Sequence, residues 1–90
     1  MRIVHDPAGH RFIAELPSGT AIMAYAPAGD GVMDLYSTFV PPGERGRGVA
    51  GHLVEAGLAW ARSEGLQIIP SCWFVAQWIR AHPEHADLQA

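Results

Sequence analysis

Residues 44–51 read Glu-Arg-Gly-Arg-Gly-Val-Ala-Gly. Two arginines and three glycines stand directly before a helical apolar pattern, the composition of a phosphate-gripping loop. Three frames can be laid over the stretch. Gly43-x-x-x-x-Gly48 has the spacing of a P-loop. Gly46-x-Gly48-x-x-Gly51 has that of a dinucleotide fingerprint. Arg45-x-x-Gly48-x-Ala50 is the third. The sequence on either side chooses among them.

Upstream, Val32–Val40 (VMDLYSTFV) is rich in β-branched and aromatic residues and predicts a strand, which Pro41-Pro42-Gly43 stops. Downstream, Val49, Leu53, Ala56, Trp60 and Ala61 recur at helical spacing, with His52, Glu55 and Arg62 on the other side. This predicts a helix over 48–64, closed by Gly65. Leu66–Ile69 predicts a short buried strand ended by Pro70. Ser71 is suited to cap a second helix, with Phe74, Val75, Trp78 and Ile79 as its apolar face and Pro83 as its stop. Strand, helix and strand make one βαβ unit, whose right-handed crossover sets the two strands parallel. Toward the N-terminus, Arg2–His5, Arg11–Leu16 and Thr20–Tyr25 are strand candidates separated by turns at 6–9, 17–19 and 27–31. The expected fold is mixed α/β: an antiparallel four-strand meander, a helix, a parallel fifth strand and a C-terminal helix. The expected organisation is one domain, residues 1–90.

This context removes two of the frames. A P-loop needs Lys-Ser/Thr after its last glycine, and Gly48 is followed by Val49-Ala50. A dinucleotide fingerprint needs a tight turn from strand to helix, an acid at the end of the next strand and further βαβ units. Here Pro41-Pro42 intervene, the next strand ends in Pro70-Ser71, and a single βαβ unit exists. The Arg-x-x-Gly-x-Ala frame fits. It is the pattern of the pyrophosphate loop of coenzyme-A-dependent acetyltransferases. Small residues at 46, 48 and 50 let the backbone approach a pyrophosphate, the free amides of the helix start donate to it, and Arg45 and Arg47 add charge. A Gly/Arg-rich loop that merely starts a helix is the plainer alternative from the loop alone.

Composition bounds the partners. Six arginines and no lysine face nine acids, for a net charge of -3, which disfavours nucleic acid as a general partner. Apolar residues are 49% of the chain, enough for a globular fold. The single cysteine, Cys72, excludes an internal disulfide. The N-terminus has no apolar signal core and no apolar run is long enough for a membrane span, so a cytoplasmic protein is expected.

Tyr36–Leu88 resembles the small, single-domain branch of the GCN5-related N-acetyltransferases (GNAT). The motifs that carry the likeness are Thr38-Phe39-Val40, Arg45–Ala50, Pro70-Ser71-Cys72-Trp73-Phe74-Val75, and His82-Pro83-Glu84 with Asp87-Leu88. Many relatives carry His before the Thr, where this chain has Ser37, so no proton-transfer role passes to that position. The resemblance implies a GNAT fold that binds acetyl-CoA between splayed strands. The implied binding set is Val40, Arg45, Gly46, Arg47, Gly48, Val49 and Ala50, with backbone groups near Val40 holding the pantetheine arm. It also implies acetyl transfer to a primary amine, possible acceptors including a protein or peptide amine, by a monomer or weak homodimer. A non-catalytic CoA-binding or acyl-CoA-sensing module is the alternative.

Cys72 follows the second strand of the βαβ unit at the start of a helix, where a thiol's pKa is lowered. Three roles stay open: acid toward the departing CoA thiolate, covalent acetyl acceptor, or packed residue. Direct transfer with Cys72 near the thioester is the expected mechanism. Asp34 and Glu44 fall near the expected cleft, and neither is assigned as base. His82, Glu84 and His85 make an incomplete metal set, and none is expected to bind metal. His52 is read as solvated. Tyr36 and the tryptophans are read as core, with Trp73, beside Cys72, the one nearest the chemistry.

Overall fold

The computed structural model describes all residues, Met1–Ala90. Its elements are β1 (Val4–Asp6), β2 (Arg11–Leu16), β3 (Gly19–Pro27), β4 (Val32–Phe39), α1 (Val49–Ser63), β5 (Gln67–Ile69) and α2 (Trp73–Ala81), with 3-10 turns at Pro42–Glu44 and Pro83–Leu88. One sheet takes the strands in chain order. The first three pairings are antiparallel and β4–β5 is parallel. The predicted architecture therefore holds.

Boundaries differ where local chemistry outweighs pattern. The first strand begins at Val4 rather than Arg2 and takes in Asp6, whose register partner is Arg11. The third runs past both expected ends, because its pairing with β2 begins at Gly19 and that with β4 reaches Pro27. Ser71 does not cap α2. Cys72 occupies that position, and no side chain makes a cap bond.

Strand alternation sorts the sheet into two faces. Phe12, Ala14, Ala21, Met23, Tyr25, Leu35 and Ile68 are buried and point one way. They meet Val49, Leu53, Val54, Leu58 and Ala61 of α1 and Val75 and Ile79 of α2 in one core cluster. Both helices thus lie on the same face, and no strand residue on the other face is buried. The buried stripe of α1 is wider than the periodic set: Val54, Gly57 and Leu58 belong to it, whereas Trp60 is half-buried. Trp60 instead closes an aromatic group with His5, Phe12 and Tyr25, in which His5 stacks on Phe12 at 4.2 Å and bonds Tyr25 Oη at 2.6 Å.

β4 carries the feature that shapes the site. Ala24 pairs with Ser37 and Tyr25 with Leu35, so Tyr36 is an extra residue, a β-bulge. A bulge bends its strand and sharpens the local twist. Pairing with β5 stops at Asp34–Ile69, and beyond it only the Cys72 amide reaches back, donating to the Leu35 carbonyl at 3.0 Å. From Tyr36 onward β4 has no strand partner on that side. Tyr36 is consequently 51% exposed and not part of the core, a correction of the sequence reading. Alternation alone cannot reveal a bulge, because the bulge is where alternation fails.

Candidate functional site

The chain leaves β4 through Val40-Pro41 and a single 3-10 turn. Glu44 closes that turn. Its carboxylate accepts from the Ser18 hydroxyl at 2.7 Å and from the Ser18 amide at 3.3 Å, and the residue is buried. Glu44 therefore ties the loop to the β2–β3 turn, and its place near the cleft is structural. Arg45 folds back so that its Nε donates to the Val40 carbonyl at 3.0 Å. That bond occupies the Val40 acceptor and fixes the guanidinium over the loop.

Gly46 and Gly48 have φ of 81° and 77°, in the left-handed region that glycine enters without strain. No atom lies within 4 Å of a Cβ built at either position. The need for glycine there is conformational, and the space beside both is open. Gly48 is the N-cap of α1 and offers no side-chain bond. The first bond of the helix runs from the His52 amide to the Gly48 carbonyl, so the amides of Val49, Ala50 and Gly51 have no protein partner. They carry the positive end of the helix dipole.

These groups border a cavity of about 260 Å³, lined by Val40, Glu44, Arg45, Gly46, Gly48, Val49, Ala50, Gly51 and Phe74. Six of the seven expected binding residues are brought together there. Arg47 is the exception: it is exposed and outside the lining. Phe74 and Gly51 were not foreseen. Phe74 comes from the first turn of α2, which the core holds beside α1 through Val75. Gly51 had been set aside as incidental, yet a Cβ there would lie 3.2 Å from Trp78 Nε1, so it also admits the α2 side chain.

Cys72 is half-buried at the head of α2, and its Sγ lies 3.5 Å from Thr38 Oγ1 on β4. Thr38 shares the helix-facing side of the sheet with Met23, so the thiol points into the gap between β4 and α2. Burial pushes the thiol pKa up. Hydrogen bonds from the Thr38 hydroxyl and from the backbone of Val75, Phe74 and Thr38 outweigh it, and the net shift is downward. Trp73 is 70% exposed, which corrects its reading as core. Asp34 sits opposite Ile69 where the β4–β5 pairing ends, with its Oδ1 buried and unpartnered. His52 is exposed. His82 stacks on Trp78 at 3.7 Å and its Nδ1 is 2.7 Å from the Trp78 carbonyl, so it packs against its own helix.

Comparison with known proteins agrees with this geometry. Residues 11–88 match the family described as GCN5-related N-acetyl-transferase. Protein NATD1 of Homo sapiens is 32% identical over 85 residues, covering 92% of this chain and 75% of that protein. Protein NATD1 of Danio rerio is 29% identical over 91 residues, covering 99% and 83%. The NMR solution structure of a GCN5-like protein from Staphylococcus aureus superposes with a TM-score of 0.74, covering 99% of this chain and 87% of that one; at 20% identity the likeness is one of fold.

Proposed function

Since the chain belongs to the GCN5-related N-acetyltransferase family, we propose that it transfers an acetyl group from acetyl-CoA to a primary amine. The observation that carries the reading is the cavity at the start of α1. It joins three unpartnered amides, the Arg45 guanidinium and the apolar side chains of Val40, Val49 and Phe74. That donor set suits a diphosphate with an apolar arm attached. Its one acid, Glu44, is engaged by Ser18 and does not oppose an anion.

In this reading the amides of Val49, Ala50 and Gly51 and the guanidinium of Arg45 hold the pyrophosphate. Gly46 and Gly48 keep the loop backbone open to it, and Arg47 contributes long-range charge only. The unpaired edge of β4 beyond Tyr36 receives the pantetheine arm. Bound acetyl-CoA supplies an activated acyl carbon and a thiolate leaving group. Cys72 Sγ holds the proton which that sulfur takes up, with Thr38 Oγ1 orienting the thiol. Direct transfer is preferred to an acyl-cysteine, because a thiol aligned by a neighbouring hydroxyl already serves as an acid.

Two measurements test the proposal. Acetyl-CoA at ~100 times its dissociation constant should add ~2.7 kcal/mol of stability, read as a thermal shift. Labelled acetyl-CoA should pass its label to some member of a panel of amines and peptides. Cys72→Ala should lower turnover roughly 10²-fold while the thermal shift persists; unchanged turnover would remove Cys72 from the chemistry. A Cys72-dependent acetyl adduct by intact mass would favour the covalent route. One observation favours a second reading, a CoA-binding module without catalysis: Glu44 is engaged by Ser18 and one oxygen of Asp34 is buried, so no carboxylate beside Cys72 is free to act as base. Binding without label transfer would select it.

A further inference from the structure

The face of the sheet that bears no helix carries an apolar row across four strands. Val4 pairs with Ile13, Ile13 with Ile22, and Ile22 with Phe39, so these side chains stand side by side from β1 to β4. Val4 is 40% and Phe39 50% exposed, and Ile69 adds a further exposed position at β5. Scattered exposed apolar residues need no explanation, but a contiguous row marks an interaction surface. We propose that a second copy of this chain docks on this face, sheet against sheet about a two-fold axis.

Three observations select that occupant. The first is area. Five strands about 4.8 Å apart and up to ~30 Å long offer a face of roughly 700 Å², close to the ~800 Å² per partner of a standard interface. The second is charge. Beside the apolar row, Arg11 is paired with Asp6 at 2.9 Å and Glu15 accepts from Thr20 at 2.8 Å. A copy docking on β1–β3 therefore meets no unmatched charge, as a self-complementary contact requires. A basic polypeptide would find no free acid there to recognise. The third is the edges. β1 has three residues, and the outer side of β5 is bridged by Gln89 at Ile68, so edge pairing is blunted and the face is what remains. Phe39 precedes Val40 on the free part of β4, so the docked copy would also wall the side from which an acceptor reaches Cys72.

Sedimentation equilibrium of the full chain, from about 10 μM to about 1 mM, tests this. A monomer–dimer equilibrium is expected within that range. Ile22→Asp and, separately, Val4→Asp should each weaken it more than 10-fold. Val4 is exposed enough that its variant keeps the test valid even where Ile22→Asp impairs folding. Both variants should keep the acetyl-CoA thermal shift, so loss of the dimer and failure of the CoA reading are separately visible. Monomer mass throughout, or a dimer that both substitutions leave unchanged, overturns the proposal.

Discussion

The Cys72 thiol is subject to opposed influences. Burial raises its pKa, and hydrogen bonds from Thr38 and the first turn of α2 lower it by more. The pH profile of alkylation by iodoacetamide should therefore reach half-maximum below that of an ordinary cysteine. Thr38→Val should move the midpoint upward, because it removes one bond to the thiolate. An identical profile in the variant would mean that the contact at 3.5 Å has no effect on the thiol. The position of Cys72 was legible in the sequence, since Pro70 ends a strand and a helical apolar pattern follows. Its partnership with Thr38 was not. It depends on a register across β4 that a bulge at Tyr36 resets, and the exposure of Tyr36 was misread for the same reason.

Within the elements, α1 packs tightly enough to be tested at a glycine. A Cβ at Gly57 would run into Met23 Cε, and Met23 is fully buried. Helix propensity alone would favour alanine by about 0.5–1 kcal/mol. Overpacking a closed core costs about 1–3 kcal/mol, so Gly57→Ala should destabilise on balance, read as a lower urea midpoint. The same helix shows why the loop glycines could be read in advance and the lining only in part. Glycine frames record local backbone demands, and Gly46 and Gly48 do adopt positive φ. Phe74 reaches the cavity from a helix more than twenty residues away, through packing of α2 against α1 that no local pattern encodes. Arg47 was included on charge alone, and the loop turns it outward.

For the whole molecule, the element order and the parallel final pair followed from hydrophobic period and crossover handedness. The one-sided placement of both helices depended on which alternate residues were left exposed. The aromatic group joining β1, β2, β3 and α1 makes stability sensitive to pH. Burial lowers the His5 pKa below its ordinary value, against an opposing effect of Asp6. Neutral His5 is the stabilising form. Its contribution is present above the unfolded pKa of about 6.5 and is lost as pH falls through the lower folded value. The urea midpoint should fall on acidification from about pH 7 to about pH 5, and less steeply in His5→Gln. Asp6 and Asp87, whose pKa values are also lowered, titrate at more acid pH and leave that window clear. The claim on which the account of function rests is that the start of α1 receives the diphosphate of acetyl-CoA. An amide-resolved NMR titration with acetyl-CoA tests it most directly. Saturable shifts are predicted at the amides of residues 45–51, with a second group at Thr38 and Cys72. Absence of saturable shifts, or shifts confined to the open face of the sheet, would contradict it.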